Sequence, residues 1–522
     1  MYGIDTKREG MLYAAIAHPP AFGLKLKSVD DTVAKTMSGI KDVFTINTYP
    51  DAEKKQWCDV DAFSDLVVVV GNSTWEVMQA KKALKIDWET TTDPNTPTGP
   101  ENSVSHTDKM AAFAGKAKEA RKDGNPEAAF KNAAQIVEAT YTAPFLAHNC
   151  MEPMNFFADV KDGKAALLGP IQTPEFMEKS VSERLGIPLE NIDIQMTRMG
   201  GGFGRRLYGH FLVEAALISQ KVGAPIKLTY TREDDMTFGT YRPAYHATYR
   251  AALDENKNLI GFHIKAGGIP ESPLFANRFP AGAIDNFLAE SWSLDSNISV
   301  GAWRAPRSNF IAGAEQAFLD EVAEAMGKDP IQFRLDLLDK AKNNPVGEKN
   351  DYDPERYAGV LKLVRDKANW GKADSGLNRG VSAYFCHNSY VANVLDLKVE
   401  NGKPIVEKVY CAVDCGIVIN PDAANNMIEG GTVDGIGHAL FSGLTFKDGV
   451  PEQNNFDKYR LIRHSEAPKA IEVHFVESEI DPTGLGEPPF PPIIGAVANA
   501  LYKATGKRVY DQPFVKQEAL LG

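Results

Sequence analysis

Apolar and polar positions repeat along this chain at two periods, near two and near 3.6 residues, and the switches between them mark out its elements. Residues 11–17 read as a strand. The run Leu66-Val67-Val68-Val69-Val70 is short and β-branched with no polar break, the pattern of a strand buried on both faces. Between these two, Ser28 and Asp31 open a short helix that Gly39 closes, and 43–48 follows as a strand. Ser73 and Glu76 then have capping-box spacing, with Val77, Ala80 and Leu84 at helical intervals behind them. A stretch over 90–106, rich in Thr, Pro, Asn and Gly, reads as a linker. Residues 108–140 are strongly charged and read as helical, with Gly124-Asn125-Pro126 breaking the helix.

The middle of the chain alternates strands, turns and helices. The strand over 166–169 ends near a polar amide, Gln172, and a helix stopped by Gly186 leads to a strand over 192–196. Next comes Gly200-Gly201-Gly202-Phe203-Gly204-Arg205-Arg206, and then a helix with Phe211, Ala215, Ile218 and Val222 on one face. The segment Trp303-Arg304-Ala305-Pro306 precedes a long helix striped by Ile311, Phe318, Val322 and Ala325 and ended by Gly327. Polar connectors lie at 343–349 and 374–380. Beyond them are strands over 380–384 and 406–413, a turn over 414–421, a glycine-punctuated helix over 429–437 and a final helix over 493–505. The glycines of 429–437 weaken a helix, so they point to a close backbone or ligand approach.

Composition narrows the class. A chain of 522 residues is too long for one core, and 43% hydrophobic with 24% charged residues is ordinary for a folded soluble protein. A net charge of -12 argues against nucleic acid or an anionic membrane as partner. The first residues lack the apolar stretch of a signal peptide. Cysteine occurs at 58, 150, 386, 411 and 415, without a Cys-x-x-Cys pair, which reads as reduced thiols and not as a zinc or iron–sulfur site.

The candidate chemistry centres on Gly484-Leu485-Gly486-Glu487-Pro488. Pro488 biases Glu487 toward extended backbone, and Gly486 lets the chain bend beside it. No charged neighbour stands next to Glu487, so burial would raise its pKa, as suits a general base; the alternative is an exposed acidic turn. The glycine run between strand and helix aims backbone N–H groups at an anion, or is a wide turn without a ligand. It has neither the spacing of a dinucleotide fingerprint nor the Gly-Lys-Ser/Thr of a P-loop. Arg304 either stacks on Trp303, grips an oxyanion, or is a surface residue at a helix start. Glu152, before Pro153, reads as a hydrogen-bonding corner.

Taken in order, four stretches resemble the molybdenum-binding large subunit of the xanthine dehydrogenase and aldehyde oxidase family, closest to the isoquinoline 1-oxidoreductase β-subunit type: 148–153, 200–206, 303–306 and 484–488. The turn over 414–421 and the helix over 428–437 support it. The resemblance implies an α+β fold: a small α/β hammerhead-like domain over 1–90, a linker with charged helices over 91–137, and two molybdopterin-binding α+β domains over 138–377 and 378–522. It implies a molybdopterin, in bacteria commonly the cytosine dinucleotide form, with molybdenum held by the pterin dithiolene and by no protein side chain. By residue matching, Glu487 is the base that takes a proton from a hydroxyl on the cofactor. Gln172, Gly201, Gly202, Phe203, Gly204, Arg205, Arg304 and Ala305 are the matched cofactor-binding residues.

Purine oxidases of the family carry an acidic residue where this chain has Leu207, so an apolar N-heterocycle or aldehyde is expected in place of xanthine. The family's Gly-Gln-Gly segment is not found, which implies a second chain that supplies it or a truncated reading frame. The resemblance further implies a small [2Fe–2S] subunit as electron acceptor. It points to the bacterial periplasm, reached behind a twin-arginine signal on that separate segment; the cytoplasm is the alternative. A second class stays open, a scaffold or fragment that keeps the fold without chemistry.

Overall fold

The computed structural model describes residues 1–49, 56–60, 62–92, 97–372 and 374–516. Among these, three sheets carry the site-bearing loops. The largest has seven strands, in the order Ile192–Met196, Lys164–Gly169, Asn155–Lys161, Ile226–Thr229, Leu12–Ala17, Asp65–Gly71, Ile40–Asn47. The β-branched run behaves as its sequence implies. Leu66, Val68 and Val70 enter the main core, while Val67 and Val69 face the other way onto Val77 and Ala80 of the helix Thr74–Ala83. Ser73 caps that helix, its hydroxyl accepting from the Glu76 N–H.

Leu12–Ala17 pairs in parallel with Ile226–Thr229, so the first ninety residues share their sheet with 155–229. A strand apolar on both faces needs neighbours on both edges, and this one finds its second neighbour more than two hundred residues away.

The second sheet corrects the sequence reading. Residues 108–140, read as broken helix, contribute helices Ser103–Phe113 and Pro126–Lys131 but also the strands Lys118–Asp123 and Gln135–Ala143. These two are the outer strands of a five-stranded sheet whose inner strands are Phe287–Ser293, Leu259–Ile269 and Ala244–Leu253. An outer strand with one wet face tolerates charge. In Gln135–Ala143, Ala139, Tyr141 and Ala143 are buried while Glu138 and Thr140 are exposed, a period of two. Gly124-Asn125-Pro126 starts a helix instead of breaking one: Asn125 accepts from the Ala128 N–H and Pro126 occupies the first turn.

The third sheet is Asn378–Cys386, Ser389–Glu400, Lys403–Asp414 and Ala470–Phe475. Its first hairpin turns on two residues, His387 and Asn388, both left-handed with φ of 50° and 60°, the backbone that matches the twist of a two-residue hairpin. The helix Phe490–Thr505 packs on this sheet and on Ser308–Met326. It starts three residues before the sequence reading, because Pro491 and Pro492 fall in the first turn, where an N–H is not needed.

Glycines permit this packing. A Cβ at Gly380 would lie 2.0 Å from the Ala496 carbonyl oxygen and 2.5 Å from the Ala500 nitrogen. In Pro421–Leu440, Gly435 lies against Ile493 and Phe490 and Gly431 against Pro489, so these two glycines serve close approach to the chain just after Glu487, while Gly437 faces Ile462 and Gly430 meets nothing. Gly380→Ala is therefore expected to lower stability by about 1–3 kcal/mol, the usual cost of overpacking, seen as a lower unfolding midpoint. An unchanged midpoint would mean that strand and helix are not in this contact.

Candidate active site

The glycine run leaves the strand Ile192–Met196 and is pinned from below by Glu152. That carboxylate accepts from the Gly200 N–H at 2.8 Å through Oε2, and from the Ile4 N–H and the Asn155 side chain through Oε1. Glu152 is thus the hydrogen-bonding corner its sequence suggests. Beyond Gly200 the backbone is left-handed at Gly201, Phe203 and Gly204, with φ of 96°, 56° and 102°. At Gly204 glycine is required twice over, since a Cβ would also sit 1.9 Å from the Ala302 carbonyl oxygen.

The carbonyls of the run are committed. Gly202 accepts from the Arg205 N–H, Gly204 from the Leu207 N–H and Gly201 from the Arg206 side chain. The N–H groups of Gly201, Gly202 and Phe203 donate to no described residue. Gln172 is exposed and its amide lies over Gly202, where a Cβ would come 2.8 Å from Oε1. Phe203 is also exposed. The side chains of Arg205 and Arg206 are buried: Arg205 points to Asp235 and His210, and Arg206 reaches the Glu152 carbonyl. Arg205 is buried as a whole residue and its N–H is spent on the Gly202 carbonyl, so it lies under the loop and not on its open face.

The segment 303–306 crosses this loop. The Arg304 N–H donates to the Phe203 carbonyl at 2.9 Å, while the Trp303 indole is buried and donates to the Ala147 carbonyl. The Arg304 guanidinium donates twice to the Gly486 carbonyl, at 3.1 and 2.6 Å, and once to Asp434 at 2.8 Å. It lies 5.8 Å from the centre of the Phe203 ring, not on Trp303. Gly431 makes room for it: a Cβ there would come 3.0 Å from Nη2 and 2.4 Å from Pro489.

Glu487 sits where these pieces meet. Its Oε1 accepts from the Ala305 N–H at 2.8 Å, and its Oε2 lies 2.9 Å from His387 Nε2. The Glu487 carbonyl accepts from the Phe490 N–H, so the residue also opens the turn into the last helix. The sequence reading of an isolated carboxyl with a raised pKa is overturned. Desolvation pushes its pKa up, but the His387 hydrogen bond, the Ala305 N–H and the charges of His387 and Arg304 outweigh it and hold the pKa below the usual value. His387 is pushed up to about 10, first by Cys386 and then by Glu487.

Sequence reading missed His387, Cys386 and Asp434. His387 is a hundred residues from Glu487, and its only local signal is a His-Asn pair between two β-rich runs, both residue types enriched at left-handed positions. Among the described residues eleven non-glycine positions have positive φ, and Phe203, Ala305, Arg307, His387 and Asn388 all belong to this neighbourhood. Such strain persists where the surroundings over-determine the backbone, which marks functional sites. Behind the 300–307 segment lies a cavity of about 440 Å³ whose lining includes Tyr208, Phe275, Pro306, Arg307 and Glu271.

The resemblance calls for a molybdopterin, and the residues fit one. Three backbone N–H donors without a partner among the described residues lie beside an exposed amide and an exposed ring, and a Cβ at Gly202 would crowd that amide. The family models agree with that cofactor. Two family models, both described as molybdopterin cofactor-binding domains, match residues 107–337 and 344–468. The chain is 28% identical to the membrane-bound aldehyde dehydrogenase [pyrroloquinoline-quinone] of Gluconacetobacter polyoxogenes, over 100% of this chain and 70% of that protein. It is 26% identical to isoquinoline 1-oxidoreductase subunit beta of Brevundimonas diminuta, over 98% of this chain and 65% of that one. Its fold superposes on the aldehyde oxidoreductase of Desulfovibrio desulfuricans with a TM-score of 0.81 at 15% identity, covering 100% of this chain and 79% of the other. Quinoline 2-oxidoreductase of Pseudomonas putida gives 0.78 at 13%, covering 98% and 94%. With the two domain models spanning more than half of its length, the chain belongs to the molybdopterin-binding family that includes the molybdenum-binding subunits of xanthine dehydrogenase and aldehyde oxidoreductase.

Proposed function

We propose that this chain is the catalytic, molybdopterin-binding subunit of a molybdenum hydroxylase acting on an aldehyde or an N-heteroaromatic compound. The observation that carries this reading is the Glu487 carboxylate, held at both oxygens beside the glycine loop and the exposed Gln172 amide. When bound, the cofactor supplies the oxygen that is transferred and accepts the two electrons. The chain's part is to hold that group against the N–H donors of Gly201, Gly202 and Phe203 and to receive a proton at Glu487. Two of the carboxylate's four lone-pair positions are taken, by Ala305 and His387, which leaves two to receive it. Arg304 contributes by fixing the Gly486 carbonyl, and so the backbone that presents Glu487.

The cavity behind the 300–307 segment, with Tyr208, Phe275 and Pro306 in its wall, supports a small aromatic or aldehyde substrate. The five cysteines are free and buried, and we place the [2Fe–2S] cluster on a separate subunit. The cytosine dinucleotide form of the cofactor, a further chain carrying the Gly-Gln-Gly segment, and a periplasmic setting belong to the same proposal. No helix among the described residues is long and apolar enough to cross a membrane.

Glu487→Gln is expected to lower kcat about 10²–10⁴-fold, the usual weight of a general base, with molybdenum content unchanged. Retained turnover would remove Glu487 from the reaction. Gly202→Val would displace the Gln172 amide and cover the donor face, so molybdenum and pterin per chain should fall. Pyrroloquinoline quinone in place of pterin, or no molybdenum in the intact complex, would overturn the assignment. Because the Glu487 pKa is lowered, the base stays ionised as pH falls. The acid limb of kcat/KM should therefore lie below the ordinary glutamate value of about 4.3; a limb at pH 6 or above would contradict the geometry.

A further inference from the structure

The hairpin turn that carries His387 and the loop that carries Glu487 are joined at more than one point. The Gly484 N–H donates to the His387 carbonyl at 3.2 Å, and a Cβ at Gly484 would meet the His387 Cβ at 2.8 Å. Two residues on, the Ser389 hydroxyl bonds the Gly484 carbonyl and lies 2.7 Å from the Thr483 hydroxyl. The turn itself has two left-handed residues in succession and no slack, so the direction of the His387 side chain is set by the sheet. Both ring nitrogens are engaged: Nδ1 lies 2.9 Å from Cys386 Sγ, and Nε2 lies 2.9 Å from Glu487 Oε2.

We propose that His387 is the positioning residue of Glu487, an imidazolium that fixes the plane and the charge of the carboxylate from outside the glycine loop. The role rests on the reading of Glu487 as the base. Ala305 fixes one carboxylate oxygen from the 303–306 segment and His387 the other from the third sheet, so the carboxylate bridges the two halves of the site. The charged groups around Glu487 are few. His387 faces it directly, the Arg304 guanidinium lies beyond Gly486, and Asp434 pairs with both Arg304 and His438. Asp434 therefore draws on the charge of Arg304, and His387 is the cation in direct contact with Glu487. With the histidine side chain 44% exposed, solvent weakens the pair without separating it. The pKa of His387 is raised first by Cys386 and then by Glu487, and that of Glu487 is held down, against desolvation, by the His387 hydrogen bond before any other group. The competing arrangement is a neutral ring with Cys386 S–H donating to Nδ1, which would leave the carboxylate without its cation.

The two are separated by nitrogen NMR of the full chain, with the chains that purify with it, labelled at histidine; loss of a signal in His387→Asn assigns His387. Asparagine suits the left-handed turn and carries no charge. The imidazolium reading expects His387 to stay cationic through pH 8 and its midpoint to drop by about one unit or more in Glu487→Gln. A neutral ring at pH 7, or a midpoint that Glu487→Gln does not move, overturns it. In turnover, His387→Asn should raise the acid limb of kcat/KM by about one unit or more with KM within about twofold, and His387→Arg should bring the limb back. A uniform fall in kcat at every pH would reduce His387 to a structural part of the turn. If Glu487→Gln keeps its turnover while the His387 midpoint still depends on it, the pair stands and the base assignment falls.

Discussion

The site depends on one crossing, where the backbone of Arg304 and Ala305 passes between the glycine loop and the loop of Glu487. The Arg304 N–H is spent on Phe203, its guanidinium on Gly486 and Asp434, and the next N–H on the Glu487 carboxylate. Five hydrogen bonds thus join four separate regions of sequence, at 203, 304–305, 434 and 486–487. Each is a hydrogen bond of modest net worth. Their value is geometric: they hold the Glu487 carboxylate against the 303–306 segment and that segment against the glycine loop.

The same crossing explains where glycine is used. Gly204, Gly431 and Gly435 do not supply flexibility in bulk; each removes a Cβ at a point where backbone or guanidinium must pass. The strain collected at Phe203, Ala305 and Arg307 is the counterpart of that closeness. Packing around Trp303 and Phe490, both buried, keeps the strained backbone from relaxing.

Much of this was legible in the order of motifs. The glycine run, Gln172, the Trp303-Arg304-Ala305 segment and the Glu487 loop were each visible as local exceptions to propensity, and the fold brings them together. What stayed hidden follows from physics that acts across distance. Glu487 has no charged neighbour in its own stretch, so local reading gave the sign of desolvation alone; His387 reverses that sign from a hundred residues away. Residues 118–123 form an edge strand charged at every position but Ala120, and charge at that density imitates a solvated helix; 135–143 is the opposite edge strand, whose wet face includes Ile136, Glu138 and Thr140. The pairing of Leu12–Ala17 with Ile226–Thr229 has no local signal, because a strand buried on both faces advertises burial and not its partners.

That pairing bears on how the molecule can be divided. A cut at residue 90, natural for anyone who draws the first stretch as a module, would split the seven-stranded sheet between its central strands. Each fragment would then present a fresh row of unpaired backbone groups flanked by Val, Ile and Leu side chains, the kind of surface that recruits a second copy edge to edge. The junction inside this sheet makes the chain a poor source of independently expressible parts and a single unit for whatever assembles around it.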